Sequence, residues 1–238
     1  MDQIAVTDRI KAKRKSPGER ALRWLRNALG DMLGETPERR YVRRWIKRME
    51  GGARHSTLGA EVRDEAATRA GAEQWLAALK ALGLKPSHLC IDYGCGSLWA
   101  GEPVIRYLQP GRFIGLDVTD RFYSAGRARL GRLLDEKSVR LRVISPRLLR
   151  EMAALHPDFI YSRKVLPHVP PGAAARYLAN LCGLMAEHTI VVVHCRFGEA
   201  TARDAKRLWR YAFDDLRAKL PPGLTCERIE AGMLIRRG

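Results

Sequence analysis

The chain of 238 residues is long enough for one α/β domain with an appended element and too short for two full domains. With 46% hydrophobic and 29% charged residues it reads as a folding sequence, and its longest β-type apolar run, 190–193, is far too short to cross a bilayer. The net charge of +17 is the outlying feature: residues 1–55 hold fifteen Lys or Arg against seven Asp or Glu, close to half of the whole excess.

A field of that sign draws in polyanions such as nucleic acid, anionic lipid headgroups or phosphorylated substrates, though it also serves solubility alone. The five cysteines (Cys90, Cys95, Cys182, Cys195, Cys226) are odd in number and lack CxxC spacing, and residues 1–15 carry no apolar core of a secretory signal. Both features point to reduced thiols in a cytoplasmic protein.

Residues 1–15 read as a basic tail. Ser16-Pro17 then opens a helix, with Ser at the N-cap and Pro at the first helical position, followed by Leu22, Leu25, Leu29, Met32 and Leu33 at helical spacing. Thr36-Pro37 opens a second helix with Tyr41, Val42, Trp45, Ile46 and Met49 on one face, while Arg39, Arg40, Arg43, Arg44, Lys47 and Arg48 fill the others. A docking helix with a solvated cationic side accounts for this pattern; a helix facing substrate or a membrane surface is the sharper alternative. Gly51-Gly52 breaks it, and a polar stretch runs to about residue 68. The division is therefore a basic helical extension, 1–70, and a second unit, 71–238.

From Gly71 helix and strand alternate. Trp75, Leu76, Leu79 and Leu82 mark a helix closed by Gly83 and Pro86. Strands are predicted at 89–93, 113–118, 139–144, 159–162 and 189–194, with helices near 102–108, 123–134, 147–155 and 173–185. A long amphipathic stretch, 202–220, precedes Pro221-Pro222-Gly223, and two strand-like pieces, 225–229 and 233–236, flank Gly232. This rhythm predicts a doubly wound, mostly parallel seven-stranded sheet, with a C-terminal antiparallel hairpin, behind the N-terminal helical extension. No internal repeat is visible.

The informative segment runs from His88 to Gly101. A strand ends in Asp92, enters Gly94-Cys95-Gly96, and gives way to a helix. Glycines let the backbone bend sharply and approach a ligand closely, and free N–H groups at a helix start favour a polar or negative ligand group. A dinucleotide site would need a third glycine where Trp99 stands, and no Gly-Lys-Ser/Thr occurs, so neither nucleotide motif is present.

The pattern acid-x-Gly-x-Gly at Asp92, Gly94 and Gly96 resembles the first motif of the class I S-adenosylmethionine-dependent methyltransferases. The second strand, ending at Asp117, and the segment from Asp158 to Val169 are similar to that family's second and fourth strands. The likeness runs from about residue 72 to the C-terminus. It implies S-adenosylmethionine as cofactor, with Gly94, Cys95 and Gly96 lining its methionine part, Asp92 near the ammonium, and Asp117 accepting from the ribose hydroxyls. Val118 and Ser162 join them as cofactor-binding positions. Two departures stand out: the stretch after the third strand, from Arg142 to Pro146, lacks the acid that often recognises adenine, with Ser145 or backbone groups as substitutes, and Leu98 replaces the third loop glycine.

A sulfonium already activates the methyl group, so aligning the acceptor is the main requirement, and a base is needed only for an acceptor that holds its proton at neutral pH. His168, just after the fourth strand, is the candidate base, with packing or capping as its plainer role; His194, ending the fifth strand, is the weaker candidate. Ser162-Arg163-Lys164-Val165 stands where amine-methylating enzymes of nucleic-acid bases carry Asn/Asp-Pro-Pro-Tyr/Phe, and no Pro-Cys supplies a nucleophile for cytosine C5. The six histidines are scattered without metal-ligand spacing, so no metal is expected. The leading expectation is methyl transfer to oxygen or nitrogen of a small-molecule, phosphorylated or glycan-type precursor. Alternatives are an RNA methyltransferase gripping phosphates through the basic N-terminal helices, an anionic-lipid contact through the same region, and a non-catalytic Rossmann-like binding module.

Overall fold

A computed structural model describes residues 64–204 and 208–238, with Gly18 and Arg43 as single helical positions before them. The basic helices predicted within 16–49, and most of the 1–70 extension, lie outside the described residues.

The first element is helix α1, Glu65–Ala81. Asp64 caps it by accepting the Ala67 N–H at 2.9 Å, Glu65 complements the positive end of the helix dipole, and Lys80 the negative end. Ala72, Trp75 and Leu79 form its buried stripe. This helix runs through residues 70 and 71, so the change of texture at Gly71 falls inside an element and not at its start.

Strands and helices then alternate as β1 (Cys90–Tyr93), α2 (Gly101–Tyr107), β2 (Phe113–Asp117), α3 (Asp120–Glu136), β3 (Arg140–Val143), α4 (Pro146–Ala153), β4 (Phe159–Ser162), α5 (Pro171–Cys182) and β5 (Ile190–His194). A 3-10 turn, Leu166–His168, leads from β4 to α5. Ser145 opens α4 as N-cap, accepting the Leu148 N–H at 3.1 Å, with Pro146 at the first position.

The chain ends in β8 (Leu224–Ile229) and β9 (Gly232–Arg237), giving one seven-stranded sheet of order β3-β2-β1-β4-β5-β9-β8. The first five strands run parallel, and β9 joins β5 antiparallel with His194 opposite Gly232. The expected terminal hairpin is present, but its second strand is the inner one.

Central strands β1 and β4 are buried at every position, as expected where helices cover both faces. Alternate residues feed two clusters: Ile91, Tyr93, Ile160 and Val191 pack towards α4 and α5, while Cys90, Phe159, Tyr161 and Val192 pack towards α1, α2 and α3. All five cysteines are free thiols. No helix of the described residues is long and apolar enough to cross a membrane.

The amphipathic stretch 202–220 is not one helix. It folds as a two-stranded hairpin, β6 (Ala202–Arg203) and β7 (Trp209–Arg210), followed by the short helix α6 (Phe213–Arg217). Asp204 explains the difference. Its N–H donates to the Leu208 carbonyl at 2.8 Å and its carboxylate accepts the Leu208 N–H at 2.9 Å, closing a turn that competes with helix. Tyr211 then anchors the segment, fully buried and donating to the Val169 carbonyl at 2.6 Å.

Two glycines of α3 separate packing from propensity. A Cβ at Gly126 would collide with the Ser97 carbonyl, whereas one at Gly131 meets nothing within 4 Å. Gly126→Ala is expected to cost about 2 kcal/mol or more by prising α3 off the loop at 97–98. Gly131→Ala is expected to gain roughly 0.5–1 kcal/mol from helix propensity. Urea denaturation of the two variants against the parent chain checks both signs.

Candidate active site at the C-terminal edge of the sheet

The carboxyl ends of β1, β2, β4 and β5 share one edge of the sheet. Beyond Tyr93 the chain bends through Gly94 (φ +88°), Gly96 (φ +49°) and Leu98 (φ +62°), all left-handed. A Cβ at Gly94 would collide with the Val165 side chain, so the loop leaving β4 closes directly on the bend. Leu98 takes the third-glycine position despite the cost of a left-handed backbone, on the order of 1 kcal/mol, and buries its side chain completely against the α1–α3 cluster.

The bend's N–H groups are not free, contrary to the sequence expectation. Those of Gly94 and Cys95 donate to the Leu116 carbonyl at 2.7 and 3.0 Å, and that of Gly96 donates to Asp117 Oδ2 at 2.7 Å. The second Asp117 oxygen accepts the Val118 N–H at 2.7 Å. Among the described residues no hydrogen bond takes the carbonyl of Gly94 or Gly96. The bend therefore offers acceptors, and suits a ligand that donates. The Cys95 thiol is buried, lies beside Gly115, and is pushed well above its ordinary pKa by desolvation, so it is inert.

Three buried carboxylates stand at this edge, and their surroundings differ. Glu102, in the first turn of α2, meets Arg129, Arg106 (2.9 Å) and Arg69 (3.7 Å). Burial opposes its ionisation, but hydrogen bonds from Arg106 and Arg129 outweigh it and hold the carboxyl below its ordinary value. Arg129 also lies over the Trp99 ring at 3.9 Å.

Asp92 (2% exposed) and Asp117 (5% exposed) make no ion pair among the described residues. Burial raises the Asp92 carboxyl to about 7, with a hydrogen bond from Tyr161 (2.9 Å) opposing the rise, Asp117 adding to it and the more distant charge of Arg163 opposing it. Burial likewise raises Asp117 to about 6, against its two backbone N–H donors. Two buried acids without a direct ion pair make this corner of the edge receptive to positive charge.

The next loops carry the opposite sign. Arg163 donates to the Gly71 carbonyl at 2.7 Å and lies over Trp75 at 5.6 Å, while its Nε is buried with no partner. Lys164 has a left-handed φ of +60°, and desolvation together with Arg163 and Arg196 lowers its ammonium's pKa. His194 packs edge-on against Trp75 at 5.5 Å with Nδ1 buried and unpaired. Desolvation, then Arg163 and Lys164, push it down to about 4, so it is neutral at ordinary pH and a poor base.

The other predicted positions fall as follows. His168 is half-buried at the end of the 3-10 turn, which packs against β7. Ser162 is fully buried; its hydroxyl donates to the Tyr93 carbonyl and accepts from Tyr177, both at 2.7 Å. Its side chain therefore ties β4 to β1 and α5. Ser145 is likewise committed as the cap of α4. Val143, 44% exposed and in register with Asp117, brings an apolar side chain to the end of β3. Tyr161, Arg129 and Trp99 were not singled out as site residues. The Asp92–Tyr161 pairing depends on a β1–β4 register that spacing alone does not reveal, whereas Arg163-Lys164 directly after a strand was a readable signal. Among the described residues no cluster suited to a metal is present.

No family model matches the sequence, and no curated protein matches it. Solved structures do. The chain superposes on the magnesium protoporphyrin IX methyltransferase of Synechocystis PCC 6803 with bound S-adenosylmethionine at TM-score 0.54 and 17% identity, over 84% of this chain and 92% of that one. It matches DesVI of Streptomyces venezuelae at TM-score 0.51 and 14% identity, over 71% and 90% of the chains. It matches the glycopeptide N-methyltransferase MtfA at TM-score 0.50 and 11% identity, over 69% and 88%. At such identities the likeness establishes the fold: this is the Rossmann-like methyltransferase fold.

The raised carboxyls have a consequence for stability. Between about pH 4 and 7 the folded chain keeps protons on Asp92 and Asp117 that the unfolded chain has already released, so these groups lower stability as pH rises through that window. In Asp92→Asn the fall in melting temperature between pH 5 and 7.5 is expected to be shallower than in the parent chain by several degrees. Parallel melting curves would show an Asp92 carboxyl of ordinary acidity.

Proposed function

We propose that the protein transfers a methyl group from S-adenosylmethionine to an oxygen or nitrogen of a small-molecule acceptor of phosphorylated or glycan-precursor type. The observation that carries this reading is the contrast among the three buried acids: Glu102 is neutralised by arginines in direct contact, while Asp92 and Asp117, flanking the bend, make no ion pair among the described residues, the Arg163 charge reaching Asp92 only through space. The cofactor, when bound, supplies a cationic sulfonium with an activated methyl group.

The chain's own groups fit such a ligand. Asp92 and the carbonyls of Gly94 and Gly96 accept from an ammonium. Asp117 spends one lone pair of each oxygen on Gly96 and Val118 and keeps others for ribose hydroxyls. Val118 and Cys95 contribute backbone only, and the exposed Val143 beside Asp117 supplies an apolar surface for the base. Because the Val165 side chain and the bend are in contact, the loop after β4 fixes where the acceptor can approach. His168, on that loop, is the proposed base for a hydroxyl acceptor, since His194 is too weak a base at ordinary pH. The fold shared with methyltransferases, one of them solved with S-adenosylmethionine bound, supports the same reading.

Calorimetric titration tests it. The parent chain is expected to bind both S-adenosylmethionine and its demethylated product, and Asp117→Asn to bind each about tenfold or more weakly. His168→Gln is expected to keep cofactor affinity and lose turnover, which separates an enzyme from a binding module. A folded parent chain that binds neither compound ends the proposal.

A further inference from the structure

Beyond the bend, the same sheet edge holds a cleft of about 640 Å³ lined by Cys195, Arg196, Phe197, Arg210, Arg228, Ile229 and Glu230. Its place follows from topology. Residues 195–197 continue from the carboxyl end of β5, and the antiparallel pairing of His194 with Gly232 brings the β8–β9 turn to that end as well. The cleft is thus two strands along from β1, with the Arg163-Lys164 loop after β4 between them.

Three guanidinia face one carboxylate there. Arg196, Arg210 and Arg228 make no ion pair among the described residues, a state they share with Arg140 and Arg142 of β3; what sets them apart is that they line one cleft together. Arg228 is held over the Phe197 ring at 5.2 Å, and Phe197 is itself braced edge-on by Phe213 at 5.3 Å. Stacking on a braced ring fixes the plane of a guanidinium and leaves its N–H edge free for a planar oxyanion. The volume suits a small organic ligand.

We infer that this cleft binds the anionic group, a phosphate or a carboxylate, of the molecule that is methylated, with Arg196, Arg210 and Arg228 as the residues that select it. The cleft's identity as an acceptor site rests on the methyl-transfer reading; its affinity for oxyanions does not. Arg163 and Lys164 extend the positive field from the cleft towards the bend, so an acceptor anchored by its anion reaches back to the methyl-transfer position.

Calorimetry and thermal shift on the full chain test this, with inorganic pyrophosphate and succinate as probes of the two oxyanion types, and the variants Arg196→Gln and Arg228→Gln. Arg147→Gln, on exposed α4 and paired with Glu151, is the control. Saturable binding of one or both probes is expected, weakened about tenfold by each cleft variant and unchanged in the control. Pyrophosphate binding without succinate identifies a phosphoryl acceptor, and the reverse a carboxylate. S-Adenosylmethionine affinity is expected to be unchanged in both cleft variants. Loss of probe binding in the variants, on a chain that binds no S-adenosylmethionine, would keep the oxyanion site and remove the methyl-transfer reading. Cofactor binding with neither probe bound, or with probe binding indifferent to both variants, overturns the inference. So does RNA binding of steep salt dependence that the cleft variants abolish and pyrophosphate does not compete.

Discussion

The site depends on the carboxylate of Asp117. It takes the N–H of Gly96 with one oxygen and of Val118 with the other, each at 2.7 Å, so a single buried charge holds the bend after β1 against the end of β2. Without it two N–H groups would lie unpaired in a low-dielectric corner, each costing about 1–3 kcal/mol. The Leu116 carbonyl doubles the restraint by taking the N–H groups of Gly94 and Cys95. With the bend fixed, Leu98 enters its left-handed turn, α2 starts at Gly101, and the Ser97 carbonyl meets α3 at Gly126, which has to lack a side chain.

Holding Asp92 and Asp117 in this corner works against stability, since burial opposes their ionisation. The fold shows how an acid is buried when stability is the aim: Glu102, on the same edge, has three arginines around it. Left-handed non-glycine backbone occurs at both edges of the sheet, with Ser138 and His156 ahead of β3 and β4. Leu98 lies on the loop leaving β1, and Lys164 on the loop leaving β4. The loops that carry Leu98 and Lys164 flank the bend.

The strands of the parallel sheet could be read from sequence because apolar runs and turn residues are local signals: the five predicted parallel strands match within a residue or so, and Gly232 marks the terminal hairpin. The stretch 202–220 misled because its apolar spacing fits a helix, while the two hydrogen bonds between Asp204 and Leu208, one in each direction, that make it a hairpin leave no periodic trace. At the site, Asp92, Gly94, Gly96 and Asp117 stood out because a bend with acids at both strand ends is a linear pattern. The use of its N–H groups was not legible, since Leu116 and Asp117 lie more than twenty residues away. The hydrogen bond that Ser162 accepts from Tyr177 was not legible either, because Tyr177 belongs to a helix whose orientation the sequence does not give.

The sheet order gives the charge pattern its meaning. From β1 the chain passes to β2 on one side, and β4 joins it on the other, so the edge between β1 and β4 is a topological switch point where a crevice opens beyond the strands. The buried acids that make no ion pair among the described residues, Asp92 and Asp117, belong to β1 and β2, on one side of that crevice. The arginines that line the cleft, Arg196 after β5, Arg210 on β7 and Arg228 on β8, lie on the other. A surface that only needed solubility would intersperse the two signs and pair them, as α3 and α4 do with Arg132–Glu136 and Arg147–Glu151. Separation of charge across a crevice instead favours two ligands of opposite sign bound side by side: a cationic one over the carboxylates and an anionic one over the guanidinia. Each site then repels the other's ligand, so the arrangement sorts the pair by charge before any shape is read.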